Sequence, residues 1–111
     1  MFSALLIDED RDHADHLERE LTRCGLTLVY AATIQNAMRK LNRRVVSVDF
    51  VLLVMSGRSG PWLEILHELQ QAAWQAGISE GPLFLCISRL RFEADFQLKI
   101  EQMGARYAFE E

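Results

Sequence analysis

The sequence predicts an α/β domain in which helices cover both faces of a mainly parallel sheet. Short apolar runs alternate with segments whose apolar residues recur at helical spacing, and this alternation is typical of a doubly wound parallel sheet. The chain has 111 residues, of which 50% are hydrophobic. That length supports one hydrophobic core, so we expect a single domain over residues 1–111.

Five apolar runs bounded by turn or cap residues are predicted to be strands. They lie near residues 3–8, 26–31, 49–55, 82–87 and 106–109. Four amphipathic stripes predict helices that can each lie against the sheet. The stripes are Ala14, Leu17, Leu21 and Cys24; Ile34, Ala37, Met38 and Leu41; Trp62, Leu66, Leu69 and Ala73; and Phe92, Phe96, Ile100 and Met103.

Individual residues refine this assignment. Gly25 stands where a glycine in left-handed geometry ends the first helix, and Thr33 can cap the second helix. Cys24 and Cys86 form no CxxC pair, and we expect both to be small buried hydrophobic residues rather than a redox couple.

Charge and hydropathy exclude several classes of function. The formal net charge is -4, with basic and acidic residues interspersed, so binding of nucleic acid or of an anionic membrane is disfavoured. No apolar stretch approaches the roughly 20 residues needed to span a bilayer, and the start lacks the pattern of a secretory signal. We therefore expect a soluble, cytoplasmic protein.

Acidic, hydroxyl and glycine residues stand at the ends of the predicted strands. The first strand runs into Asp8, Glu9 and Asp10, the fourth ends in Ser88, and Gly104-Ala105 precedes the fifth. In this order the landmarks resemble the receiver domain of bacterial two-component response regulators, over nearly the whole chain. The resemblance implies a flavodoxin-like, doubly wound sheet of five parallel strands in the order 2-1-3-4-5. The helix that normally follows the fifth strand is expected to be absent.

The resemblance also implies an acidic pocket at the carboxyl ends of the strands. In receivers, two acids after the first strand and an aspartate after the third hold magnesium, which neutralises an incoming phosphoryl group. Asp8 and Glu9 match the acid pair, and Ser88 matches the hydroxyl residue that contacts the phosphoryl oxygens. The family's spacing from Asp49 puts the phosphoacceptor on Val54, which has no nucleophile.

A second departure lies at the end of the chain, where Glu110 and Glu111 stand in the region of the expected lysine. An acid there would repel phosphate. Asp49 cannot replace the acceptor, because it lies roughly 16 Å upstream along an extended strand and belongs to the opposite edge of the sheet. In the loop after Val54, Arg58 is expected to neutralise the acid pair in place of the metal and the lysine.

The predicted vestigial pocket therefore comprises Asp8, Glu9, Val54, Ser56, Arg58, Ser88 and Glu111. Several members also have a simpler interpretation. The acids after the first strand can favour the positive end of the next helix, Ser88 can be a strand-end hydroxyl bonded to backbone, and Arg58 can be a solvated loop residue. Asp8 and Glu9 are expected to bind magnesium weakly at most, and no other cofactor is expected.

His13 and His16 lie one helical turn apart, which suggests a metal site. Because no third ligand has matching spacing, we expect both histidines to lie on a solvated helix face.

The leading hypothesis is a degenerate receiver, or pseudo-receiver, that acts through protein contacts without being phosphorylated and is not an enzyme. One alternative is a phosphoryl-accepting receiver with a shifted site, in which Ser56, Ser59 or an acid takes the phosphate. A further alternative is a small flavodoxin-like domain that binds or transforms a ligand, but no glycine-rich phosphate loop follows the first strand.

The fourth helix and fifth strand are the predicted interaction surface. The helix has more apolar positions than one stripe requires, and the closing strand is apolar with no fifth helix to cover it. We expect a homodimer or a docked protein partner there. The expected interface residues are Leu90, Phe92, Phe96, Leu98, Tyr107 and Phe109.

Overall fold

A computed structural model describes residues 2–42, 48–57, 61–74 and 82–110. Within these ranges, five strands alternate with four helices. The strands are β1 (Phe2–Ile7), β2 (Leu26–Ala31), β3 (Phe50–Met55), β4 (Leu83–Ser88) and β5 (Arg106–Phe109). The helices are α1 (Arg11–Arg23), α2 (Ile34–Asn42), α3 (Trp62–Trp74) and α4 (Ala94–Gln102). Every predicted strand is confirmed to within one residue at each end.

The strands form one parallel sheet in the order β2-β1-β3-β4-β5, which confirms the predicted flavodoxin-like order. The direction in which the chain adds strands reverses between β1 and β3, and ligands of open parallel sheets bind at such a switch point. Because all strands run the same way, their carboxyl ends share one edge.

Alternate residues of the central strands face two separate parts of the core. In β3, Leu53 belongs to the larger cluster, together with buried residues of α2, α3 and α4. Leu52 and Val54 belong to a smaller cluster with Ala14 of α1. Helices therefore cover both faces of the sheet, as the uninterrupted apolar strands predict.

Capping hydrogen bonds and a glycine with positive φ define ends of the first two helices. The Asp10 carboxylate accepts from the backbone N–H groups of Asp12 and His13 and caps α1. Gly25 follows α1 with a φ of +91°, a conformation that glycine adopts without steric cost. Thr33 Oγ1 accepts from Asn36 N at 3.1 Å. These contacts confirm the predicted roles of Gly25 and Thr33, and Asp10 has the helix-end role that was the simpler interpretation of the acids after the first strand.

The two cysteines differ, although burial was predicted for both. Cys86 is buried within β4, and burial raises the pKa of its thiol to about 12. The prediction for Cys24 is wrong, because α1 ends at Arg23 and leaves Cys24 exposed at the C-cap.

The fourth helix also starts later than its apolar stripe suggests. Phe92 precedes it, Glu93 takes the N-cap position with extended backbone, and the helix begins at Ala94. In the part of the chain that the structure describes, no helix has both the length and the apolar character needed to cross a bilayer.

Candidate functional site

Four strands bring the candidate residues to one edge of the sheet. Asp8 directly follows β1, Val54 lies one residue before the end of β3, Ser88 ends β4, and Glu110 directly follows β5. The pairing of Met55 with Ser88 places the ends of β3 and β4 side by side. The predicted convergence at this edge is confirmed for these residues.

Asp8 is a carboxylate held inside the protein, with only 1% of its surface exposed. Its backbone is fixed by two contacts: its N–H donates to Ala31 O at 3.2 Å, and its carbonyl accepts from the Tyr30 hydroxyl at 2.8 Å. Its Oδ1 accepts from Asp10 N at 3.0 Å. Glu9, in contrast, is exposed to solvent, so the two members of the predicted acid pair have very different surroundings.

His13 completes the environment of Asp8. Its Nδ1 lies 2.5 Å from Asp8 Oδ2, and its Nε2 lies 2.8 Å from Glu110 Oε1. Glu110 is positioned by its own backbone N–H, which donates to Ser88 O at 2.7 Å. The imidazole thus bridges a carboxylate after β1 to one after β5. Since β3 and β4 lie between those strands, the bridge spans the edge where the resemblance places the phosphoacceptor.

The predicted solvated position is therefore wrong for His13, which is only 8% exposed, and is confirmed for His16, which is exposed. A signal for His13 was present in the sequence. His13 precedes Leu17 by four residues and adjoins Ala14, so it lies on the apolar stripe of α1 that faces the sheet.

Competing effects set the pKa of His13. Burial lowers it, but hydrogen bonds to Glu110 and Asp8, together with their negative charges, outweigh burial and raise the pKa above its ordinary value of 6.5. The positive end of α1 also disfavours a cation in the first turn. The Asp10 carboxylate that caps this helix lies close by, and Arg89 approaches Asp10 at 4.0 Å.

This pKa gives a testable dependence of stability on pH. A raised folded-state pKa means that the charged His13 stabilises the fold fully below about pH 6.5, and that this contribution is lost as the pH rises through the folded-state pKa. Urea unfolding at a series of pH values should show the free energy of unfolding falling across that interval. The fall should be smaller in Glu110→Gln and unchanged in His16→Ala. Wild-type stability that stays constant or rises there would contradict the assignment.

The other pocket residues fall into two groups. Val54 is buried, whereas Ser56 is exposed just beyond β3. Ser88 is fully buried; its hydroxyl donates to the carbonyl of Leu90 and accepts from Leu90 N at 3.0 Å. The simpler interpretation of Ser88, a strand-end hydroxyl satisfied by backbone, is confirmed.

Asp49 lies at the opposite edge of the sheet, where its Oδ2 accepts from Ser3 N at the start of β1 at 2.9 Å. The prediction that it cannot join the acid pair is confirmed. Arg58, Ser59 and Glu111 lie outside the described residues, so their predicted roles stay predictions.

The residues present do not fit a magnesium site. A divalent cation needs several oxygen ligands directed at one point, but Asp8 already bonds Asp10 through one oxygen and His13 through the other. Asp8 and Glu110 approach opposite nitrogens of one ring, so the ring separates them. Among the described residues, no three acidic, histidine or cysteine side chains form a group that could hold a metal ion.

The predicted interaction surface is partly exposed and rich in aromatic rings. Leu90 and Leu98 are 38% and 52% exposed. Phe92 stacks on Phe96 with ring centroids 4.5 Å apart and makes a T-shaped contact with Tyr107, with ring centroids 6.3 Å apart.

Further contacts hold the loop before α4 against β5. The guanidinium of Arg91 lies 4.4 Å from the centre of the Phe109 ring. The Tyr107 hydroxyl donates to Leu90 O at 3.3 Å and accepts from Phe92 N at 3.4 Å. The surface is therefore preformed, with two leucines projecting into solvent.

Comparison with solved structures places this fold among receivers. A two-component response regulator from Clostridium difficile superposes with a TM-score of 0.77 at 16% identity, over 99% of this chain and 84% of that chain. Chemotaxis protein CheY4 from Vibrio cholerae gives a TM-score of 0.76 at 13% identity, over 99% and 87%. Response regulator TrrA from Thermotoga maritima, solved with Mg²⁺ and BeF, gives 0.73 at 16% identity, over 100% and 88%.

The chain thus has the fold of response-regulator receiver domains. At these identities the likeness shows the fold alone. No family model and no curated protein sequence matches the chain.

Proposed function

We infer that this chain is a pseudo-receiver, a module that signals or regulates through protein contacts without accepting a phosphoryl group. The main support is the bridge from Asp8 through His13 to Glu110. It ties up a carboxylate that would otherwise be available to a metal. The nucleophile is also missing, because Val54 offers no oxygen at the position that the resemblance assigns to the acceptor.

Two further features support this function. Ser88 is engaged with the backbone of Leu90, so its hydroxyl already has both a donor and an acceptor partner. A glutamate rather than a lysine follows β5 at Glu110, and its charge disfavours an anionic group at the same edge. Both features disfavour phosphate in the pocket.

The first test of this function is chemical. Incubation of the protein with acetyl phosphate and magnesium, followed by intact mass measurement, should leave the mass unchanged. A response regulator with an intact phosphoacceptor aspartate serves as the positive control. A stoichiometric acid-labile adduct would overturn the proposal, and an acid-stable adduct at the exposed Ser56 would favour the shifted-site alternative instead.

The partner surface is the face formed by α4, β5 and the loop before α4. Leu98 is the most exposed of the apolar interface residues and lies on α4, while Ile100 on the same helix is buried. The helix therefore presents apolar side chains to solvent as well as to the core. Exposed apolar groups beside a preformed aromatic surface are typical of protein interfaces.

Self-association is the simplest use of this surface, and it gives a second test. Sedimentation at micromolar concentration should show a dimer, and Leu98→Glu should weaken it about tenfold, or about 1.4 kcal/mol, because a charge would be placed in the contact. Leu83→Glu is the matched control, since Leu83 is a 65% exposed leucine at the amino end of β4 and is not one of the proposed interface residues. A strict monomer, or equal weakening by both substitutions, would contradict a specific interface on α4.

A further inference from the structure

We propose that His13 is the resident cation of the acidic pocket, taking the charge-balancing role of a divalent metal and keeping such a metal out. This inference rests on the proposed function and deepens it, because it identifies the positive charge that occupies the same pocket. It is carried by the arrangement of Asp8, His13 and Glu110.

The hydrogen-bonding groups around the ring fit a charged imidazole. A neutral imidazole has one N–H donor and one bare nitrogen, whereas an ionised carboxylate can only accept. In this pocket both ring nitrogens lie within hydrogen-bond distance of a carboxylate oxygen, at 2.5 and 2.8 Å. Between two ionised carboxylates, both contacts are satisfied together only when both nitrogens carry protons, so the ring is an imidazolium.

Charge balance leads to the same conclusion. The side chain of Asp8 is fully buried and that of Glu110 is 27% exposed, so bulk water screens their repulsion only in part. A buried carboxylate without a counter-charge is costly. Among the described residues, His13 is the only basic side chain within 4.0 Å of either carboxylate, so it is the cation that balances them.

The same ring closes the pocket to a metal. Of the two Asp8 oxygens that a divalent ion could use, Oδ1 accepts from Asp10 N and Oδ2 contacts His13 Nδ1. Two positive charges at one carboxylate would also repel each other. A metal would therefore have to displace His13 from a site where that residue is 8% exposed.

Nitrogen-detected NMR of the unmodified protein tests the charge directly. At about pH 7.5, a histidine in water is mostly neutral. His13 should show two protonated ring nitrogens, with both protons protected from exchange. A single protonated nitrogen on His13 would overturn the proposal.

Titration with Mn²⁺ tests the exclusion of metal. In the wild-type protein, broadening of amide signals at Asp8 and Glu110 should not exceed that at Glu93 and Asp95, which are exposed acids at the start of α4. In His13→Ala, checked for native amide dispersion, selective broadening should appear at Asp8. Saturable broadening at Asp8 in the wild type, or none in the variant, would contradict the proposal.

These outcomes can be separated from failure of the proposed function. A wild-type protein that binds Mn²⁺ at Asp8 but gains no mass from acetyl phosphate would overturn the resident cation alone. A phosphoryl adduct in a protein whose His13 is doubly protonated would overturn the proposed function alone.

Discussion

Replacing His13 with alanine should lower the free energy of unfolding by about 3 kcal/mol, because removal of one partner leaves a buried charge without compensation. Asp8 would keep a carboxylate that is shielded from water, and Glu110 would lose its contact across the sheet edge. Urea unfolding monitored by circular dichroism measures this loss. His16→Ala, in the same helix but exposed, should change stability by no more than about 0.5 kcal/mol.

A double-mutant cycle shows where this effect originates. When Asp8 is first changed to Asn, the buried charge is gone, so the additional cost of His13→Ala should fall by at least about 1 kcal/mol. An equal cost of His13→Ala in both backgrounds would mean that the ring contributes only packing. The electrostatic account of the pocket would then be wrong.

Introducing a carboxylate at Val54 is expected to be the second large perturbation. Val54 is 5% exposed and packs in the cluster beneath α1 with Leu6 and Ala14. Val54→Asp should therefore destabilise the fold by about 3 kcal/mol near pH 7, through burial of an unpaired charge.

Val54→Asn is the matched control for that substitution, because asparagine has nearly the same shape as aspartate but carries no charge. The difference in unfolding free energy between the two variants isolates the effect of the negative charge. Burial raises the folded-state pKa of the new carboxyl, so the difference should narrow as the pH falls from that raised pKa towards the unfolded-state value of about 3.9. Equal stability of the two variants at neutral pH would show that the end of β3 tolerates a third acid.

Local sequence patterns were sufficient to predict most of the fold. The apolar run at residues 82–87, which begins at the Gly81-Pro82 pair, predicts a buried strand without any knowledge of its pairing partners. Capping by Thr33 and the turn at Gly25 depend on neighbours a few residues away. The errors in the fold lie at helix boundaries: α1 ends one residue before the exposed Cys24, and α4 begins after Phe92.

The pocket was harder to predict because its central contact is not local. His13 and Glu110 are separated by 97 positions in sequence, and no helical or strand period relates them. Asp8 and Ser88 could be placed at the sheet edge from strand ends alone. The partner of each side chain depended instead on the tertiary arrangement, which brings the first turn of α1 and the end of β5 together.

The most direct measurement is the amide spectrum of the wild-type protein with and without magnesium and beryllofluoride, which mimics a phosphoryl group. If His13 closes the pocket and no acceptor stands at Val54, the signals of Asp8, Ser56 and Ser88 should not shift on addition of both reagents. Saturable shifts of these signals that require both magnesium and beryllofluoride would contradict the account, because they would show a pocket that still binds metal and a phosphoryl mimic.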